Sequence, residues 1–194
     1  MPGDSAYEAY GAFVGPLATA LSCVAFAKIR PSEGGKNNLH QDHNLYITGH
    51  GDDDFVHLKG APALDLRARM VYRLIEDPRP GYGPIRATTR SYDYSLRLTT
   101  GERIVDYHWH PGGNSHEERA HVHIGSSQLM PHGVIAKKSH LHTGRITFES
   151  VIRTAVELGA TPLHADWESR LEAAEGPHVR HRSWSIDPRT EIGR

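Results

Sequence analysis

Between residues 64 and 125 the chain alternates apolar and polar positions with a period of two. Leu66, Ala68, Met70, Tyr72 and Leu74 are interleaved with Arg67, Arg69, Val71, Arg73 and Ile75. Tyr92, Tyr94, Leu96 and Leu98 repeat the pattern within Ile85–Thr99, and Val105, Tyr107 and Trp109 repeat it within Arg103–His110. Val122 and Ile124 do so in Ala120–Gly125. Period two puts alternate side chains on opposite faces of a strand, so each segment predicts a strand with one apolar face. Thr100-Gly101-Glu102 reads as a tight turn, and the residues from Pro111 to Arg119 as a loop. Asn44–Thr48 and Phe55–Lys59 are short apolar runs around a Gly/Asp-rich stretch, which predicts a hairpin.

Elsewhere the period changes. Residues 5–28 read as a buried helix bent at Pro16, and 30–43 as a polar loop. Thr147 is a plausible N-cap with Glu149 in the first turn, Val151, Ile152, Ala155, Val156 and Leu158 supply an apolar stripe, and Gly159 is a stop. Asp166 opens a second short helix, ended by Gly176-Pro177. Residues 126–145 form a long connection. The expected fold class is α+β: a curved antiparallel sheet, 44–125, with an N-terminal buried helix, 1–28, and C-terminal helices, 147–175, packed on one face. Residues 178–194 read as a peripheral tail. The 194 residues fit one domain, and 38% apolar residues suffice for a single core.

Composition narrows the chemistry. With 22 Lys+Arg against 23 Asp+Glu, global charge signals no nucleic-acid partner and excludes none. Arg86, Arg90, Arg97, Arg103 and Arg119 nevertheless precede or flank the region of interest, and Lys137, Lys138 and Arg145 follow it. The single cysteine, Cys23, excludes an internal disulfide, makes a thiolate metal site nearly impossible and fits a reducing cytoplasm. Residues Ala9 to Ala27 carry no charge, but Ala, Gly and Pro16 make them too weakly hydrophobic for a comfortable membrane span, so no membrane partner is expected.

Histidine is the distinctive residue. Of 15 in the chain, eight lie between His108 and His142. Six form His-X-His pairs: His108/His110, His121/His123 and His140/His142. On a strand, each pair puts two imidazoles on one face, roughly 6–7 Å apart. Strands 103–110 and 120–125, joined by a short loop, should pair antiparallel. That brings His110 near His121 and His108 near His123, provided the register holds. Asp106 shares this face and could orient an imidazole from behind. His140 and His142 lie in the following loop and could fold over the patch. His116 and His132 rank lower. His40, His43, His50, His57, His164, His178 and His181 read as scattered surface residues.

Three readings of the cluster stay open. It could hold a divalent transition metal, zinc first, through His108, His110, His121, His123, His140 and His142. It could be a metal-free acid/base site, with His121 and His123 exchanging protons, His108 as a partner, and Arg119, Arg103 or Arg145 stabilising phosphate charge. It could be a structural network. There is no Walker loop, no G-x-S-x-G and no H-E-x-x-H, and no nucleotide cofactor is expected.

The run Tyr107-His108-Trp109-His110-Pro111, with His116 and then Ala120-His121-Val122-His123-Ile124-Gly125, follows a Tyr92-x-Tyr94 strand and precedes a capped helix. Over residues 90–158 this resembles the small toxins of TumE type, with Ala120-His121-Val122-His123 standing where that family has a His-His-X-His run. The resemblance implies an RNA-cleaving enzyme neutralised by a small acidic antitoxin-like partner. His140–Arg145 is also similar to a His-Leu-x-Thr-Gly-Arg stretch of uncharacterised bacterial proteins, which implies no chemistry. The expected function is a histidine-dependent phosphodiester hydrolase acting on RNA. The alternative is a non-catalytic metal-binding protein or interaction module.

Overall fold

The computed structural model describes residues 1–33, 35–49, 54–80, 82–112 and 117–181. His50, His116 and most of the expected tail lie outside the described residues.

The chain runs β1 (Pro2–Gly3), α1 (Ala6–Ser22), β2 (Lys28–Pro31), β3 (Asp42–Thr48), β4 (Val56–Leu58), β5 (Leu64–Glu76), β6 (Ile85–Leu98), β7 (Arg103–Trp109), β8 (His121–Ile124), β9 (Leu141–His142), α2 (Phe148–Glu157) and α3 (Trp167–His181). The nine strands form one open antiparallel sheet, ordered β2-β3-β5-β6-β7-β8-β9, with β1 added to β6 and β4 to β5. The fold is α+β, as the alternating segments imply.

Period two governs the sheet. In β5, Leu64, Leu66, Ala68, Met70, Tyr72 and Leu74 are all buried, and β6 contributes Tyr92, Tyr94 and Leu96 beside them. Val105 and Trp109 continue the apolar face on β7. The helices cover this inner face. Helix α1 is capped by Ser5, whose hydroxyl accepts from the Glu8 amide at 3.2 Å. It buries Ala9, Phe13, Leu17, Ala20 and Leu21, a stripe at helical spacing. Pro16 lies inside it without ending it. Helix α2 is capped by Thr147, which accepts from the Ser150 amide at 3.1 Å. The chain leaves α2 at Gly159, whose φ of +112° suits glycine alone.

Several expectations need correction. Residues 23–28 are not helical, because Lys28–Pro31 leaves α1 to pair with β3 in the stretch read as a polar loop. The runs 44–48 and 55–59 do not form a hairpin with each other. Both pair antiparallel with β5, β4 against Leu64–Leu66 and β3 against Arg69–Arg73, so they lie end to end along one edge. The 13-residue length of β5 leaves room for both. Helix α3 continues through Gly176-Pro177 to His181. Leu171 and Ala174 bury one side of it, and His178 ties the turn after the proline to the core. Packing outweighs the lost main-chain hydrogen bond.

His178 is therefore not a surface residue. Its Nδ1 lies 2.7 Å from Oε1 of Glu149, which is wholly buried, and its Nε2 lies 3.2 Å from the Phe13 carbonyl. His43 is buried too, with its ring 5.2 Å from that of Tyr72 and Nε2 2.9 Å from the Asn38 carbonyl.

Candidate metal centre

The residues between the buried positions line the outer face. Register carries them across four strands. Asp93 of β6 stands opposite His108 of β7, and Ser95 opposite Asp106. His108 stands opposite His121 of β8, and Asp106 opposite His123. His121 stands opposite His142 of β9.

The β7–β8 register is two residues away from the expected one: His108, not His110, faces His121, and Asp106, not His108, faces His123. A shift of two keeps side-chain parity, so the same residues still share a face. The cause is the end of β7. The strand stops at Trp109, and His110 leaves the ladder into the turn at Pro111-Gly112.

The β7–β8 ladder closes tightly at Gly125. Its amide donates to the Ile104 carbonyl at 2.9 Å, and a Cβ at this position would run into the Arg103 carbonyl. Only glycine lets the two strands approach so closely here.

Five imidazoles pack together on this face. His108 stacks on His121 with centroids 5.6 Å apart and planes at 10°, and it meets His123 edge-on at 5.4 Å. His121 and His123 meet edge-on at 5.0 Å. His140 does reach the patch from its loop. It stacks on His121 at 4.7 Å and meets His123 edge-on at 4.6 Å. His110 joins through His108, with centroids 5.5 Å apart.

Within this cluster one ligand atom each of His121, His123 and His140 lies within 4.8 Å of the others. The three go from buried to exposed in that order, so the group opens towards solvent. The ring nitrogen of His121 that faces away is held by the main chain. Nδ1 of His121 donates to the Arg119 carbonyl at 2.8 Å, which leaves Nε2 as the free lone pair. Backbone carbonyls behind metal-ligating imidazoles fix tautomer and ring orientation in this way.

Charge and burial favour neutral rings. Burial pushes the pKa of His108, His121 and His123 below the usual histidine value, and at His123 the neighbouring imidazoles of His121 and His140 add to it. At His108 the nearby carboxylates of Asp93 and Asp106 oppose the shift without reversing it. Neutral imidazole is the form that binds a metal.

The remaining expected residues play other parts. The Asp106 carboxylate accepts from the Ser95 hydroxyl, and the Arg103 guanidinium lies 3.4 Å away, so its hydrogen bonds go to these groups rather than to a ring. His142 turns aside. Its Nε2 lies 2.6 Å from Glu117 Oε2, and the same carboxylate holds the Arg119 side chain at 3.1 Å. The Arg119 guanidinium holds the Glu117 carboxyl down at about 2. The Arg119 charge is thus compensated, and its link to the cluster is its carbonyl. His132 sits exposed in the loop with φ of 62°.

An open groove runs beside the rings, lined by Arg103, Lys137 and Lys138, by the carboxylates of Glu102 and Asp106, and by His108, His123 and His140. Three cations thus face two carboxylates, and Asp106 pairs with Arg103 at 3.4 Å, which leaves Lys137 and Lys138 as the cations towards the rings. Two participants were missed in the sequence: Asp93 and Glu117. Asp93 was legible by parity, since it lies between Tyr92 and Tyr94 and must face away from the core. Glu117 sits in a loop, where no periodicity marks it.

The fold and this face define an α+β protein with a solvent-facing histidine cluster on its sheet. No family model matches the chain, no curated protein is significantly similar to it, and no solved structure matches its fold. Among the described residues, no helix is long and apolar enough to cross a membrane.

Proposed function

We propose that the chain is a metal-dependent phosphodiester hydrolase acting on RNA, with a divalent transition metal of the zinc class held by His121, His123 and His140. The observation that carries this reading is the convergence of three imidazole nitrogens within 4.8 Å beside an open groove that Lys137 and Lys138 line. Tetrahedral zinc with Zn–N bonds of about 2.0–2.1 Å sets its ligand nitrogens roughly 3.4 Å apart. The exposed His140 ring can close that gap by rotation. Three histidines with a fourth position left open is a catalytic zinc plan.

A metal there would lower the pKa of a bound water enough to make it a nucleophile near neutrality. Arg103, Lys137 and Lys138 would hold the phosphate in the groove and stabilise charge on its oxygens. Attack on phosphorus forms one P–O bond and breaks another, and the leaving oxygen takes a proton from groove water. His108, stacked on His121, limits the water that reaches the inner side of the centre.

The test has two arms on purified protein. Metal content before and after chelation is expected to show at least one zinc per chain, and to fall by one zinc per chain in His123→Ala. Cleavage of a single-stranded RNA is expected to need that metal and to fall at least about 100-fold in His123→Ala, on the scale of a lost catalytic group. Metal without cleavage would leave the non-catalytic metal-binding reading standing. No bound metal would end both.

A further inference from the structure

We propose that Asp93, His108 and His110 form a second divalent-metal site next to the first, so that the outer face carries a two-metal centre. This rests on reading the His121, His123 and His140 group as a metal site.

The geometry is already close to that of a coordination sphere. Nδ1 of His108 and Nε2 of His110 are 3.2 Å apart. Two nitrogens bound to one first-row ion at about 2.0–2.1 Å stand roughly 3.0–3.4 Å apart, depending on coordination number. Oδ2 of Asp93 lies 3.8 Å from the same His108 nitrogen, and all three ligand atoms fall within 4.8 Å.

Local structure explains the convergence. Residues two apart on a strand hold their side chains roughly 6–7 Å apart, too far for one ion. His110 escapes this limit because β7 ends one residue before it. The turn that follows, with Gly112 at φ +75°, lets the His110 ring swing back over His108. Asp93 arrives from the neighbouring strand in direct register with His108. Its two oxygens are divided: Oδ1 takes the Arg67 guanidinium at 3.1 Å, and Oδ2 faces the imidazole. Arg67 thereby orients the carboxylate.

The donor set differs from that of the first group. Two nitrogens and one carboxylate oxygen, all half-buried, leave open positions and suit manganese, iron or zinc. Three nitrogens favour zinc. The two groups share a wall, since His108 touches both His121 and His123. Asp93 and His110 also line a second groove on the outer face, together with Tyr46 and Arg69.

The test is metal stoichiometry on the full chain after zinc loading and dialysis, with circular dichroism to confirm folding. Wild type is expected to hold two zinc per chain. Asp93→Asn and His110→Ala should each hold one, and His140→Ala should also hold one, retaining the Asp93 site. His110→Ala leaves the Arg67–Asp93 pair in place, so it separates ligand loss from damage to the sheet. With Mn²⁺ as probe, the protein-bound paramagnetic resonance signal should persist in His140→Ala and disappear in His110→Ala. One zinc in wild type, unchanged in both Asp93→Asn and His110→Ala, would overturn the second site and leave the first. One zinc lost in all three variants would show a single shared site and also overturn it. No zinc in wild type would overturn the first reading, and this one with it.

Discussion

Trp109 and His108 are adjacent in β7, yet one is packed against Tyr92 in the core and the other against imidazoles on the open side of the sheet. The same contrast runs along β6, where Tyr92 and Tyr94 face the helices while Asp93 and Ser95 face the cluster. The inner face is closed by hydrophobic packing against α1 and α2, with α3 packed on these two helices. The outer face is held by register: its rings stand where the strands beneath them put them. Stability should therefore reside on one side of the sheet and chemistry on the other, one residue apart.

The largest expected effect tests that division within a single strand. Trp109→Ala should cost about 3–5 kcal/mol of unfolding free energy, the usual range for deleting a buried aromatic. His108→Ala should cost about 1 kcal/mol or less, as befits a residue outside the core. Equal losses in urea denaturation would show that the rings, too, hold the fold together.

The helix side of the sheet also holds a buried carboxylate. Glu149 is fully buried, His178 bonds one of its oxygens, and the other has no hydrogen-bond partner among the described residues. His178→Ala should cost about 3 kcal/mol, because it strands a carboxylate away from water. The double variant Glu149→Gln/His178→Ala should recover part of that loss in the same melts. No recovery would mean that His178 acts through its packing on Phe13, 5.8 Å from ring to ring, and not through the carboxylate.

The smallest effect lies at the rim. Glu117 has its carboxyl lowered from 4.5 to about 2, first by Arg119. Because the folded value lies below the unfolded one, the pair stabilises fully above pH 4.5, and the gain is lost as pH falls towards about 2. Glu117→Gln should cost about 1 kcal/mol or less at pH 7. Its deficit relative to wild type should shrink as the pH of the melts is lowered through that window. A deficit constant with pH would refute the ion pair.

Much of the sheet was legible because alternation is a local signal. The buried set on β5 and β6 follows from it directly, and parity alone put Asp106, His108, His121 and His123 on one face. What parity cannot supply is register in steps of two, so His110 was assigned a partner that belongs to His108. The pairing of β3 and β4 with β5 instead of with each other depends on a strand that comes later in the chain, which short-range turn chemistry does not encode. His178 was misread for a similar reason. Gly176-Pro177 is a local stop signal, and only the packing of α3 overrides it. The arrival of His140 at the cluster, and the departure of His142, are set by a loop with no period to read.

Gly125 carries a consequence of its own. The spacing between β7 and β8 is gauged there by an atom the residue lacks, as a Cβ would meet the Arg103 carbonyl. His123 lies two residues before it, on the strand that contributes two of the clustered rings. An engineer could exchange one ligand type for another on this face and keep the frame. Adding a single methyl group at residue 125 would wedge the frame apart while leaving every ligand in the sequence. The dimension of the centre is thus written at a position that supplies none of its ligands.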